Sequence, residues 1–304
     1  MEIYQLEIFT EYLQLKKYSP DTRDGIIKSV RRFMQWSESE NLVLNEISYN
    51  DVMAYVAHCK KTGNKPRTLQ VNVNNVKKYF NFLLSQNEIQ DNPCTNIEIH
   101  GVKRKILYET FSPQELETVY RSFANMAISN NGIASRITHR RNKVILGLII
   151  YQGLRTQELA DLKPNDIELR EGKIKIESGL RTEGRELKLE AHQLYEMIDY
   201  VNETRKLLLA IRGKETEKLF LSIGGSDSFG NVMQKILESL HKQDSRIKQM
   251  KQIRASVITN WLKVHDIRKV QYMAGHRYVS STESYSANNM DDLKEDVNRY
   301  HPNF

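Results

Sequence analysis

Four residues of this chain carry side chains that together could break and remake a phosphodiester: Arg155, Arg254, His276 and Tyr285. Two guanidiniums can hold phosphate oxygens while negative charge builds on them. A tyrosine hydroxyl can attack phosphorus and stay bound as a covalent ester. An imidazole can hydrogen-bond the phosphate or carry a proton. This is the equipment for phosphodiester transfer without a metal, so no cofactor is implied. Tyr285 is one of 15 tyrosines, and residue type alone does not distinguish it. Its position nine residues after His276 does, with Tyr278 and Tyr272 as the nearby rivals. The chain has no Gly-rich nucleotide loop ending in Lys-Ser or Lys-Thr. It also lacks zinc-ligand and paired-carboxylate signatures, which disfavours a metal nuclease.

The segments around these residues are Gly153-Leu154-Arg155-Thr156-Gln157-Glu158-Leu159, Lys251-Gln252-Ile253-Arg254 and Gly275-His276 followed by Thr282 and Tyr285. They resemble the tyrosine recombinase (integrase) family, which carries G-L-R-x-x-E-L, then H-x-x-R, then G-H-x-x-x-x-x-T-x-x-Y. Arg254 to His276 is 22 residues and His276 to Tyr285 is nine, both normal for that family. The resemblance implies DNA strand breakage and rejoining through a 3′-phosphotyrosine, with no ATP required. It also implies four protomers on two DNA sites, with the 19 residues after Tyr285 docking on a neighbour. Two positions depart from the family. Lys251 stands where the first histidine belongs; it can donate to a phosphate oxygen but is a poor general base. The family's hairpin lysine, which protonates the leaving 5′ oxygen, has Arg181 as its nearest counterpart, with Lys173 and Lys175 as alternatives. Arginine scarcely deprotonates, so Arg181 could neutralise charge but hardly act as an acid.

Each residue also has a plainer reading. Arg155 could pair with Glu158 or Asp161, and Arg254 could pair with an acid. Glu158 is expected to orient arginine rather than react. A type IB topoisomerase would share the chemistry, and a DNA-binding protein with a decayed site would share the fold. A helical interaction protein would leave the four-part pattern to chance.

The elements that must position these groups are mostly helical. Ile26, Ile27, Val30, Phe33 and Met34 recur at helical spacing over 21–38, after Ser19-Pro20. Ser48 caps a second helix, and Pro66 opens a third with Leu69, Val73, Val76, Phe80 and Leu83 inward. Residues 1–100 therefore read as a small four-helix domain, which the resemblance implies is of the core-binding, DNA-gripping type. Residues 101–111, with Lys103-Arg104-Lys105, read as a basic linker. Residues 112–304 read as an α-rich catalytic domain with a small antiparallel sheet and a C-terminal tail. Helices are expected at 113–128, 137–151, 191–210, 228–242 and 250–264, and strands at 166–169, 173–177 and 185–189.

A length of 304 residues fits two domains. The net charge of +7 is spread: residues 1–105 hold 15 basic against 12 acidic side chains. Any phosphate-binding face must then come from local clusters, such as Lys16-Lys17, Arg31-Arg32, Lys60-Lys61, Lys65 with Arg67, and Lys77-Lys78. Cys59 and Cys94 are the two cysteines and have no metal spacing, so reduced, inert thiols are expected. No signal peptide or membrane-length apolar run is read, which suggests a cytoplasmic, nucleoid-associated protein acting on double-stranded DNA.

Overall fold

A computed structural model describes residues 2–102, 108–127, 132–179, 182–223 and 229–286, with side chains from Gln5 onward. The chain forms two units, Met1–Ile106 and Leu107–Phe304.

The first unit holds α1 (Glu2–Leu15), α2 (Pro20–Ser39), α3 (Tyr49–Lys61) and α4 (Pro66–Ser85). The starts of α2 and α3 follow from side chains that satisfy the free N–H groups of a first turn. The Ser19 hydroxyl accepts from Thr22 N, and Pro20 fills the first helical position. Ser48 and Asp51 cap one another reciprocally. Phe9, Val30, Phe33, Val76, Tyr79, Phe80 and Leu83 make the core. Phe33 meets Tyr55 and Phe80 edge-on, with centroids 5.0 and 5.7 Å apart, the arrangement favoured by ring quadrupoles. Ser29, bonded to Asn72 and Asn75, fixes α2 on α4. Cys59 and Cys94 are buried and unpaired, and burial pushes the Cys94 thiol up to about 12. Lys16, Lys17, Arg31, Arg32, Lys60, Lys61, Lys65 and Arg67 are exposed. Lys77 and Lys78 instead donate to Thr95 O and Asn75 Oδ1 within the unit. Lys103, Arg104 and Lys105 lie outside the described residues.

The second unit is built around α6 (Ile133–Gln152), whose run Val144–Ile150 is buried along its whole length. Such a run serves a surrounded core helix, and none of the described helices is long and apolar enough to cross a membrane. Around it lie α5 (Pro113–Ala124), α7 (Thr156–Asp161), α8 (Ala191–Asp199), α9 (Arg205–Arg212), α10 (Phe229–Gln243), α11 (Met250–Val264), α12 (Ile267–Ala274) and α13 (Val279–Ser286). An antiparallel sheet of order β1 (Ile167–Glu168), β2 (Lys173–Ile176) and β3 (Arg185–Lys188) closes one side.

Several boundaries differ from the periodicity reading. Helix α5 stops at Ala124, capped at Asn125, rather than at 128. Helix α6 starts at Ile133 rather than at 137. The stretch 191–210 is interrupted by a π turn at Tyr200–Thr204. There Tyr200 is buried and donates its hydroxyl to Leu219 O, and the extra residue keeps both Tyr200 and Leu208 inward. Strand β1 is short because Pro164–Asp166 winds into a 3-10 turn, with Lys163 N donating to Asp166.

Candidate active site

The site begins where α6 ends. Gly153 takes left-handed backbone (φ 59°), and Leu154 N returns to Leu148 O. Trp261 fills the space where a Cβ at 153 would stand, so this turn needs glycine twice over. The turn buries Leu154 and presents Arg155, half-buried, at the N-terminus of α7.

Neither acid suggested for Arg155 pairs with its guanidinium. Glu158 accepts from the Arg155 backbone N–H at 2.8 Å. Both of its carboxylate oxygens are then taken by Arg185, each at 2.9 Å. Asp161 pairs with Lys218 at 2.8 Å. Glu158 does buttress the site, but through Arg185 and the main chain. Arg185 also donates Nε to Met273 O at 2.8 Å, so one fully buried guanidinium ties β3, α7 and the end of α12 together. Sequence reasoning missed Arg185. The available signal was alternation: it shares the inward face of β3 with Leu187.

Arg254, on α11, is 7% exposed. Its Nη2 donates to Ala274 O at 2.7 Å, while Nη1 is buried without a partner. Burial, then Arg155 and Arg185, push this guanidinium down to about 10 against the pull of Glu158 and Tyr285. A buried donor with an open N–H and like-charged neighbours is set to receive an anion.

His276 follows Gly275, which caps α12 in left-handed backbone (φ 60°). A Cβ on Gly275 would overlap Arg185 Nη1. The His276 ring is 3% exposed and lies parallel to Tyr285, with centroids 5.6 Å apart and a 12° tilt. Its Nδ1 sits 2.9 Å from Thr282 Oγ1. Burial, then the charges of Arg254, Arg155 and Arg185, push the imidazole down to about 3, so it is neutral at ordinary pH. Tyr285 is half-buried on α13 beside Ile258, Val270 and Ala274. The rivals do other things: Tyr278 is exposed, and the Tyr272 hydroxyl accepts from Glu186 N.

Beyond these, the end of the β2–β3 hairpin rests on the same turn. Thr182 bridges to His276, Glu183 N donates to Gly275 O, and Glu183 pairs with Arg277 at 2.9 Å. Arg181 lies outside the described residues. Lys175 is exposed opposite Glu186. Lys173 pairs with Glu171 and Glu186 on the same solvent face. Strand β2 thus turns both lysines away from the face by which Arg185 reaches Glu158. Lys251 is exposed on the first turn of α11, one turn before Arg254. Among the described residues no three His, Cys, Asp or Glu side chains form a metal-holding group.

A helical unit followed by an arginine-rich site with a buried imidazole and one tyrosine defines a class of DNA strand-transferring enzymes. The chain belongs to the phage integrase family, whose profile matches residues 113–292. The family's N-terminal SAM-like domain matches residues 6–87. Tyrosine recombinase XerC of Bacillus pumilus is 26% identical, over 98% of this chain and 96% of that one. Tyrosine recombinase XerD of Oceanobacillus iheyensis is 25% identical, over 98% of each. In fold, the chain is similar to XerH site-specific recombinase bound to a palindromic difH substrate. There the TM-score is 0.74 at 19% identity, over 97% of this chain and 84% of that one.

Proposed function

We propose that this protein is a site-specific DNA recombinase that cuts and rejoins strands through a 3′-phosphotyrosine at Tyr285. The observation that carries the reading is the unpartnered Nη1 of Arg254, buried among Arg155, His276 and Tyr285. Such a group is costly unless a ligand completes it, and a phosphate is the ligand that DNA supplies.

The steps follow from the chemistry. The Tyr285 hydroxyl oxygen attacks phosphorus, and the bond from phosphorus to the 5′ oxygen breaks. The phosphate then joins the DNA 3′ oxygen to tyrosine; the Tyr285 hydroxyl gives up its proton in the attack, and the 5′ oxygen takes one up and leaves as a hydroxyl. A 5′ hydroxyl from the partner site then attacks the phosphotyrosine and releases Tyr285. Ester bonds are exchanged one for one, so no nucleotide is consumed. Arg155 and Arg254 hold the non-bridging oxygens, and preorganised donors of this kind act on the charge that develops at the transition state. Neutral His276 adds a hydrogen bond. Lys251 supplies a donor one turn from Arg254, and Arg181 neutralises the leaving oxygen, since Lys173 and Lys175 face away from the site. Four protomers act on two paired DNA sites, and residues after 286 dock on a neighbouring protomer. The setting is the cytoplasm, on the nucleoid.

The test has two stages. A binding site is selected from a random duplex library and then built as a nicked suicide substrate. Wild-type protein forms a covalent adduct and Tyr285→Phe binds without forming one. An adduct on the Phe variant would reassign the nucleophile, and no adduct with either would favour a decayed, binding-only protein. Strand exchange between two sites separates recombination from relaxation by a topoisomerase-like enzyme.

A further inference from the structure

Assigning His276 to the phosphate leaves open which of its nitrogens meets the ligand. Thr282 is fully buried, and its Oγ1 lies 2.9 Å from His276 Nδ1. Among the described residues that hydroxyl makes no other hydrogen bond. A neutral imidazole carries one N–H and one bare nitrogen. If Nδ1 held the proton, it would donate to Oγ1, and the hydroxyl hydrogen would be stranded in a buried pocket. A buried donor left unmade costs free energy. If instead the hydroxyl donates to a bare Nδ1, both groups are satisfied and the ring proton sits on Nε2.

We propose that Thr282 is a positioning residue that locks His276 in the Nε2–H tautomer, so that the imidazole meets the scissile phosphate as a hydrogen-bond donor and not as a base. The inference rests on the reading of His276 as a phosphate contact. It is consistent with the ring's surroundings: burial, and then three guanidiniums, keep it neutral, so tautomer and not protonation sets what it offers. Thr282 also lies one turn before Tyr285 on α13. The same hydroxyl therefore aligns the imidazole against the tyrosine helix, beside the stacking of the two rings.

The test uses the full chain with 15N-labelled histidine. His276 is assigned among the eight histidines by comparison with His276→Gln. Two-bond 15N–1H spectra of wild type are expected to show the Nε2–H pattern. Thr282→Ser keeps that pattern and most of the cleavage rate, whereas Thr282→Val loses it. Single-turnover cleavage by Thr282→Val falls about tenfold, the order expected when one hydrogen bond is removed, with DNA affinity unchanged. In a His276→Gln background Thr282→Val has no further effect on cleavage. An Nδ1–H pattern in wild type overturns the proposal, as does a Val variant with wild-type spectrum and rate. If Thr282→Val does not fold, the wild-type spectrum still decides the tautomer, and Thr282→Ala replaces Val in the kinetics. His276→Gln cleaving at the wild-type rate would sink the phosphate assignment while leaving the tautomer result intact.

Discussion

Arg254 is a single residue that is costly to the fold and, under the proposed function, necessary to the reaction. Its charge is desolvated, faces Arg155 and Arg185, and leaves Nη1 open. Arg254→Met is therefore expected to raise the melting temperature of the DNA-free protein. The same change should slow cleavage by about 100-fold or more, since a donor to a transition-state anion is worth roughly 3 kcal/mol. Thermal scans and single-turnover cleavage check the two halves, and a Met variant that cleaves at the wild-type rate would remove Arg254 from the reaction. His276 gives a pH signature. Its folded pKa, about 3, lies below its ordinary value of 6.5. The unfolded chain therefore takes up a proton as pH falls below that ordinary value, while the native state does not. This group's stabilising contribution is whole above about pH 6.5 and is lost as the pH drops towards 3. Between pH 7 and 5 that loss is about 2 kcal/mol. Urea unfolding of wild type and His276→Gln at the two pH values should show the slope in wild type only.

At the scale of elements, the site is a junction held by one ion pair and one glycine. Glu158 and Arg185 are both buried, so removing one partner strands the other. Glu158→Gln or Arg185→Met is expected to cost about 3–5 kcal/mol, and the double apolar replacement should recover much of it. Denaturant midpoints decide this; additive losses would argue against a coupled pair. Gly275 offers a matched comparison with Gly213. Both are left-handed caps (φ 60° and 66°), but a Cβ at 213 meets open space, whereas at 275 it meets a guanidinium held by three hydrogen bonds. Gly213→Ala should cost only about 1–2 kcal/mol of backbone strain. Gly275→Ala should cost more and should also abolish cleavage, because it moves Arg185 and the turn that carries His276. Equal losses in the two variants would show that the Arg185 side chain yields freely.

For the whole molecule the governing quantity is salt. Affinity for duplex DNA is expected to fall about 10³-fold between 50 and 200 mM salt if roughly six phosphates are neutralised. Replacing the exposed pair Arg31 and Arg32 by Gln should lower the slope by about one for each phosphate that the variant no longer neutralises. A slope unchanged by that double variant would assign phosphate binding to other basic side chains.

The sequence alone determined the class of fold, and it singled out the four residues proposed to carry the chemistry. Helix starts at Ser19, Ser48 and Ser112 were legible because capping is local, a matter of three or four residues. The proposed site was legible because Arg155, Arg254, His276 and Tyr285 stand at spacings that carry the family pattern. What lay beyond it was pairing across distance. Glu158 meets Arg185 from 27 residues away, and Arg185 meets Met273 from 88, and neither partner can be read from a spacing. The π turn at Tyr200–Thr204 was hidden for a similar reason: its cause is a carbonyl at Leu219 that only packing brings near. The protonation state of His276 was likewise decided by the tertiary structure, which buries it among three guanidiniums drawn from α7, β3 and α11. Desolvation and the field of distant charges are properties of the assembled site, and they have no counterpart in the order of residues along the chain.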